Sequence, residues 1–386
     1  MTCHWAPDRL GRRVPDRPNR RAPDRRAAGP GEACHTRVPG AGCASTLASG
    51  ARPTEVVCDR GLPDRYPGGP EREETELTVI DAGRPARLAV GVVSAGRVGS
   101  ALGAALERAG HHVVAASGVS KASVRRAAEL LPDTPLLPPD EVCTQADLVL
   151  LAVPDDVLPG LVRGLAAAGC FRPGQIVVHT AGSQGTAVLE PAAARGVLPL
   201  ALHPAMTFTG RPEDVERLAS CCIGVTAPGE AGEDDPGADP RDAVGWSVAE
   251  ALVLEMSAEP VRVPEAMRPL YHAALAHGAN HLMTLVGDCI ELLETAGIRP
   301  ADRLVAPLLS AALDNALRHG DRALTGPVAR GDAGTLRTHL DRITAADPGL
   351  AAAYRALAGR TARRAAAAGL LDQAGLDDVE KTLEDT

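Results

Sequence analysis

The chain has 386 residues, a formal net charge of −9, and 45% hydrophobic but only 2% aromatic residues. That length accommodates two domains with a sizeable core, which must be built from Leu, Val and Ala. The negative charge speaks against a general nucleic-acid binder, no apolar run reaches the ~20 residues of a membrane span, and no hydrophobic signal segment opens the chain, so the expected compartment is the cytoplasm.

Residues 1–84 are rich in Arg, Pro, Gly and Asp, and APDRLGRR, VPDRPNRR and APDRRAAG repeat PDR every eight residues. Without a sustained apolar period such a segment cannot offset its ordering entropy, and disorder is expected. Residues 85–263 then alternate short apolar runs with helical stretches. RLAVGVV, HHVVAAS, DLVLLAV, GQIVVHT, GVLPLAL, CCIGVTA and EPVRV read as strands. RVGSALGAALERAG, KASVRRAAELL, DDVLPGLVRGLAAAG and WSVAEALVLEM read as helices between them. This alternation predicts an α/β Rossmann domain: a mostly parallel, doubly wound sheet covered on both faces. The acidic Gly/Pro stretch between Ala227 and Arg241 reads as a solvated insertion. From residue 264 the strand runs stop, and 264–372 read as an all-helical substrate and dimerisation domain, with 373–386 as an acidic tail. Dimerisation is expected because one amphipathic two-helix layer leaves apolar surface to bury.

AVGVVSAGRVGS (residues 89–100) has the strand–turn–helix context of a dinucleotide loop. Gly96 and Gly99 take the second and third glycine places, for pyrophosphate approach and for helix–strand packing, while Ser94 stands at the first. Ser94, Ala95, Gly96, Arg97, Val98 and Gly99 are therefore the candidate phosphate cradle, at a helix N-terminus that favours anions. The second strand ends at Ser117 with no carboxylate for a ribose, but with Ser120 and Lys121 beyond it and Arg125 and Arg126 one turn later. Hydroxyls and cations there favour NADP over NAD. Val153 and Pro154 end the next strand, where the nicotinamide half would pass.

Two strand ends carry histidines, His179 in VVHTAGS and His203 in LPLALHPAMTF. On the first long helix His272, His277 and Asn280 fall within about 140° of one another. Asn315 lies on the next helix, and ALTGPVARGD follows with Thr325, Arg330 and Asp332; Arg330 is a candidate for a substrate carboxylate, and Asp332 for holding Arg330 or capping a helix. Hydride transfer to a carbonyl or imine needs a proton donor. With only Lys121 and Lys381 in the chain, a lysine acid is nearly excluded, leaving His203 or His272 with Asn280 as a polarising donor. The nine cysteines form no C-x-x-C pair, so no metal site is expected.

VGVVSAGRVGSAL, HTAGS, LHPAMTF, LYHAALAHGANHL and ALTGPVARGD together resemble the Rossmann-like proteins whose second half is a domain of unknown function, DUF2520. The resemblance implies an all-helical second domain like the C-terminal domain of 6-phosphogluconate dehydrogenase. It also implies kinship in layout with ketopantoate reductases, prephenate dehydrogenases and pyrroline-5-carboxylate reductases. Carried over, it puts Gly96 and Gly99 at the cofactor and His203, His272, Asn280, Asn315 and residues 325–332 at the substrate. The expected activity is NADP-dependent reduction of a small 2-oxo acid, ketopantoate among the candidates. The alternatives are a non-catalytic NADP-binding redox sensor and an enzyme that passes electrons between NADP and a deazaflavin.

Overall fold

The computed structural model describes residues 87–228 and 240–385. The expected disordered segment 1–84 lies outside these residues, as does most of the acidic insertion. In chain order the elements are β1 (Ala89–Val93), α1 (Arg97–Arg108), β2 (His112–Ala116), α2 (Lys121–Leu130), α3 (Pro139–Gln145), β3 (Leu148–Leu151), α4 (Leu158–Ala167) and β4 (Ile176–His179). Then come α5 (Glu190–Ala193), β5 (Leu198–Pro204), α6 (Glu213–Arg217), β6 (Cys222–Thr226), α7 (Pro240–Glu255) and β7 (Glu259–Arg262). Five helices complete the chain: α8 (Arg268–Thr295), α9 (Ala301–His319), α10 (Ala333–Ala346), α11 (Pro348–Ala367) and α12 (Gln373–Asp385).

The seven strands form one sheet in the order β2-β1-β3-β4-β5-β6-β7. Neighbours are parallel except β5 and β6, which run antiparallel with His203 opposite Gly224. The chain leaves β1 toward β2 and returns to β3 on the other side. That reversal opens a crevice past the carboxyl ends of β1 and β3, where open α/β sheets bind ligands. Alternation along each strand divides the core between the two faces. Val90, Val92, Leu148, Leu150 and Val178 pack with α1 and α7, while Val93, Val149, Leu151 and Val177 pack with α3 and α4. Each fully buried Val or Leu contributes about 1.5–3 kcal/mol relative to exposure. Gly91 is needed on the second face, because a Cβ there would stand 2.8 Å from Val142.

The helical part has its own small core, built from Leu336 and Leu340 of α10, Ala358, Ala362 and Ala365 of α11, and Val379 of α12. The expected acidic tail is thus corrected to a packed helix: Leu376, Val379 and Leu383 recur at helical spacing and seat α12 on this core. The two helices before it are different. Over its 28 residues α8 buries a single side chain, Arg268, and α9 buries only Ala301 and Val305. No described helix is long and apolar enough to cross a membrane.

Candidate active site

The loop between β1 and α1 shows how Ser94 serves at a glycine place. Its φ of +76° lies in the left-handed region that glycine normally occupies. Two bonds from Ser117 stabilise that backbone: Ser94 N–H donates to the Ser117 hydroxyl at 2.8 Å, and Ala95 N–H donates to the Ser117 carbonyl at 2.6 Å. Ser117 is buried, so its hydroxyl supports the loop rather than facing a ribose. Gly99 is indispensable, since a Cβ would collide with the Ser94 carbonyl and stand 3.0 Å from Ala152. The Cα of Gly96 is open by contrast: a Cβ added there would meet nothing nearer than the Ser94 hydroxyl at 3.6 Å. Gly96 is also the N-cap of α1, and neither a capping side chain nor an acidic residue blocks its first turn. These features suit a pyrophosphate.

Around the end of β2 the hydroxyls and cations sort themselves. The Ser120 side chain closes a capping box with Ser123, so it belongs to α2. Lys121 and Arg125 are exposed, and Arg125 stands on the outer face of α2. The basic group that turns inward is Arg126. It is half-buried and packs on Gly210, beside the Arg97 side chain from the cofactor loop. Neither Arg97 nor Arg126 forms an ion pair or side-chain hydrogen bond among the described residues.

Past the ends of β3, β4 and β5, a second group of side chains converges. Val153 and Pro154 lead into Asp155, whose carboxylate accepts from the Ser183 hydroxyl at 2.6 Å and from Ser183 N–H. His179 is fully buried and uses both ring nitrogens locally: Nδ1 accepts from Ala181 N–H at 3.2 Å and Nε2 donates to the Gly185 carbonyl at 2.8 Å. Burial pushes it down to about 4. His179 therefore folds the loop of residues 180–185 as a neutral imidazole. Glu265 ties that same loop to the start of α8, accepting from the Thr186 N–H and hydroxyl and from Ala187 N–H.

His203 is half-buried, with Nδ1 2.9 Å from the Tyr271 hydroxyl. The two rings meet edge-on at 5.5 Å, and His272 meets His203 edge-on at 5.7 Å. Gly182 makes room for both imidazoles, because a Cβ there would run into His272 and stand 2.9 Å from His203 Nε2. Burial, followed by repulsion from His272 and Arg268, pushes His203 down to about 4. It is uncharged at neutral pH, a hydrogen-bonding group rather than a stored imidazolium.

The other candidates lie elsewhere. His277 and Asn280 are exposed further along α8, where His277 pairs with His281 at 2.8 Å. Asn315 is exposed on α9, at an open hollow of about 580 Å³ lined also by Arg318, His319 and Arg322. Thr325 and Arg330 are exposed, and Asp332 caps α10 by accepting from Thr335 N–H at 3.0 Å. No hydrogen bond or ring contact joins these residues to His203 or His272 among the described residues. Sequence reasoning left Tyr271, Gly182, Asp155 and Arg268 unassigned. Only Tyr271 carried a usable signal, a rare aromatic hydroxyl on an otherwise apolar helix, next to His272.

Residues 73–204 match the family model of the Rossmann-like domain, and residues 238–361 match that of DUF2520, a domain of unknown function. The chain belongs to this Rossmann-like, DUF2520-containing family. No curated protein matches it. Among solved structures, a Bacteroides fragilis protein provisionally named an NADP oxidoreductase is 21% identical, with a TM-score of 0.59 over 72% of this chain and 98% of its own. A Thermotoga maritima protein without a functional name is 17% identical, with a TM-score of 0.50 over 72% of this chain and 99% of its own. The reductive aminase of Aspergillus terreus, solved with NADPH and ethyl-5-oxohexanoate, is 16% identical, with a TM-score of 0.52 over 78% of this chain and 99% of its own. At these identities the likeness establishes the shared fold.

Proposed function

We propose that this protein is an NADP-dependent reductase acting on the C=O or C=N group of a small molecule, with 2-oxo acids as the first substrate class to try. The observation that carries this reading is the His203–Tyr271 hydrogen bond of 2.9 Å, set between two strand ends and the interdomain helix. The likeness to proteins named as NADP oxidoreductase and reductive aminase supports it.

Gly96 and the first turn of α1 would hold the pyrophosphate, and Arg97 with Arg126 the 2′-phosphate. When bound, the nicotinamide supplies a hydride to the electrophilic carbon. The substrate oxygen or nitrogen then needs one proton. We assign the single Tyr271 hydroxyl proton to Nδ1 of His203 at 2.9 Å rather than to the His203 carbonyl at 3.4 Å, which leaves the proton of the neutral ring on Nε2, toward Gly182 and His272. His203 polarises the substrate through Nε2–H. As negative charge develops, Nε2–H passes to the substrate and the Tyr271 proton moves to Nδ1, leaving a phenolate to be reprotonated from solvent. Each proton lost by the relay is thus replaced, and His203 ends neutral.

The exposed apolar side chains of α8 and α9 support a homodimer. Leu270, Met283, Leu304, Leu308 and Leu317 are each at least 54% exposed. A helix as bare as α9 has little to hold it in water on its own. A second copy offers the complementary surface, an apolar groove of about 360 Å³ between α8, α10 and α11 that includes Leu285, Leu292, Ile343 and Leu357. Arg330, free of its own crevice, remains the proposed carboxylate ligand, delivered by the partner copy.

The test is to mix purified protein with NADPH and a panel of 2-oxo acids, ketopantoate included, and cyclic imines, following loss of nicotinamide absorbance. Turnover that disappears in His203→Ala while NADPH affinity is kept is the expected result. NADPH binding without turnover of any member would favour the redox-sensor reading instead, and turnover only with an added deazaflavin would favour the electron-carrier reading.

A further inference from the structure

Both crevice imidazoles pack against the loop of residues 180–187, at Gly182, where a Cβ would meet His272 and His203. Three side chains hold that loop. The His179 ring bonds Ala181 and Gly185, and Asp155 engages Ser183 by its carboxylate and the Gln184 side chain by its carbonyl. The third is Glu265, 79 residues beyond Thr186 in the chain. One of its carboxylate oxygens accepts from Thr186 N–H at 2.6 Å and from the Thr186 hydroxyl at 3.2 Å, and the other accepts from Ala187 N–H at 3.3 Å. Thr186 opens the 3₁₀ turn Thr186–Leu189, whose N-cap, Gly185, has no side chain to satisfy the first N–H groups. Glu265 satisfies them from another element, with its negative charge at the favoured end of the turn. The carboxylate fills the space beside Gly185, since a Cβ there would run into it.

We propose that Glu265 is a positioning residue, the clamp that holds Gly182 and its loop against the imidazoles of His203 and His272. Its place in the chain makes it more than a local cap. Glu265 opens the 3₁₀ turn Glu265–Met267, which runs straight into α8, the helix that carries Tyr271 and His272. Arg268 fastens the same helix start to β5 and β6, donating to the Thr226 hydroxyl at 2.7 Å and to the carbonyls of Ala201 at 2.8 Å and Gly224 at 2.9 Å. With α8 anchored there, Glu265 is the tie that brings the loop to the helix. Without its carboxylate the Thr186 and Ala187 N–H groups lose their acceptor, the loop recedes, and the two rings lose the wall that fixes their orientation. A misplacement of about 1 Å at reacting groups costs on the order of 10²-fold in rate. The effect on turnover rests on the relay proposed above for His203; the effect on ring placement does not.

The experiment uses isotope-labelled full-length protein without cofactor. NMR follows hydrogen exchange at the Thr186 and Ala187 amides and the ring resonances of His203 and His272, assigned from His203→Gln and His272→Gln. Glu265→Ala should speed exchange at both amides by about 10-fold or more and shift or broaden both ring signals. The rings of His111 and His339, which bond elsewhere, should not respond. Gly185→Ala should act like Glu265→Ala although the glutamate is present, because the methyl displaces the carboxylate; with φ at −99°, Gly185 has a backbone that alanine adopts without strain. In the double variant the methyl has nothing to displace, so the changes should not exceed those of Glu265→Ala alone. Glu265→Gln, which keeps an oxygen for Thr186 N–H, should restore part of the protection. Unmoved ring signals in the single variants overturn the proposal even if exchange accelerates, and so do additive effects in the double variant. If Glu265→Ala does not fold, Gly185→Ala decides alone. With a substrate from the panel above, kcat should fall about 10-fold or more in both single variants while NADPH affinity holds, and an unchanged kcat rejects the role in turnover. Failure of the reductase reading would instead appear as ring and exchange responses of the expected kind with no turnover by the unaltered protein.

Discussion

The Tyr271 hydroxyl stands 2.9 Å from Nδ1 of His203, joining the interdomain helix to the end of β5. If the pair relays a proton, Tyr271→Phe removes the source and leaves the ring packing intact. The expected outcome is a fall in kcat of about 10²-fold or more, within the range for loss of a general acid, with NADPH affinity unchanged. Steady-state kinetics with cofactor binding by calorimetry check this. A variant that retains full kcat would remove Tyr271 from the chemistry.

Gly182 is the contact surface for both imidazoles of the crevice. Gly182→Ala would put a methyl group where His272 stands and 2.9 Å from His203 Nε2, so one ring must swing away. Turnover should drop by about 10-fold or more, because the lost alignment bears directly on the reacting atoms. Stability should change by no more than about 1–3 kcal/mol, typical of mild overpacking, as thermal unfolding would show. A double variant with His272→Ala, which opens space, should recover part of the activity if the clash is the cause.

The fold was legible in the sequence because burial on both faces of a parallel sheet leaves continuous apolar runs such as DLVLLAV, with Gly-rich turns between them. The cofactor loop was legible for the same reason: its geometry is local. The crevice was less so. His203 and His272 are far apart in the chain, and nothing in their spacing says that Gly182 lets them meet. Ser117 illustrates the opposite error, a hydroxyl at the expected ribose position that the fold uses to hold Ser94. Asn280 shared the polar stripe of His272, but at 1.5 Å per residue it lies about 12 Å further along the helix. The acidic tail was misread because its charges outweigh the three apolar residues that seat α12.

His179 and His203 make stability depend on pH. Each is pushed down to about 4, first by burial, whereas an unfolded histidine titrates near 6.5. Between those values the unfolded chain binds more protons than the folded one. Their contribution is therefore complete above pH ~6.5, is lost as pH falls through that window, and levels off below about 4. Each site carries on the order of 3 kcal/mol over the whole window. Thermal midpoints should fall between roughly pH 7.5 and roughly pH 4.5, and His203→Gln should flatten that dependence. An equally steep curve in the variant would mean that His203 is not buried neutral.

Arg126 packs on Gly210 beside Arg97, with no carboxylate on either guanidinium among the described residues. If the two grip the 2′-phosphate, Arg126→Ala should weaken NADPH binding by about 10–100-fold, the loss expected for a charge-assisted contact, and leave NADH binding nearly unchanged. Arg125→Ala, on the outer face of α2, should change neither. Titration of the two cofactors against nicotinamide fluorescence separates the cases, and equal weakening of both would place Arg126 elsewhere in the cradle.

The bare faces of α8 and α9 carry the last prediction. Leu308 is 66% and Leu317 79% exposed, yet both belong to a helix that buries only two of its own residues. A second copy that covers α9 would desolvate both leucines, so Leu308→Glu with Leu317→Glu would bury charge at the contact. Light scattering behind size-exclusion chromatography should show a dimer for the unaltered chain and a monomer for the double variant. The monomer should also lose turnover if Arg330 reaches substrate across the interface, and Arg330→Ala in the intact dimer should then raise KM more than it lowers kcat. A double variant that stays dimeric would place the contact on another face, and a monomer with full turnover would show that the crevice is complete within one chain.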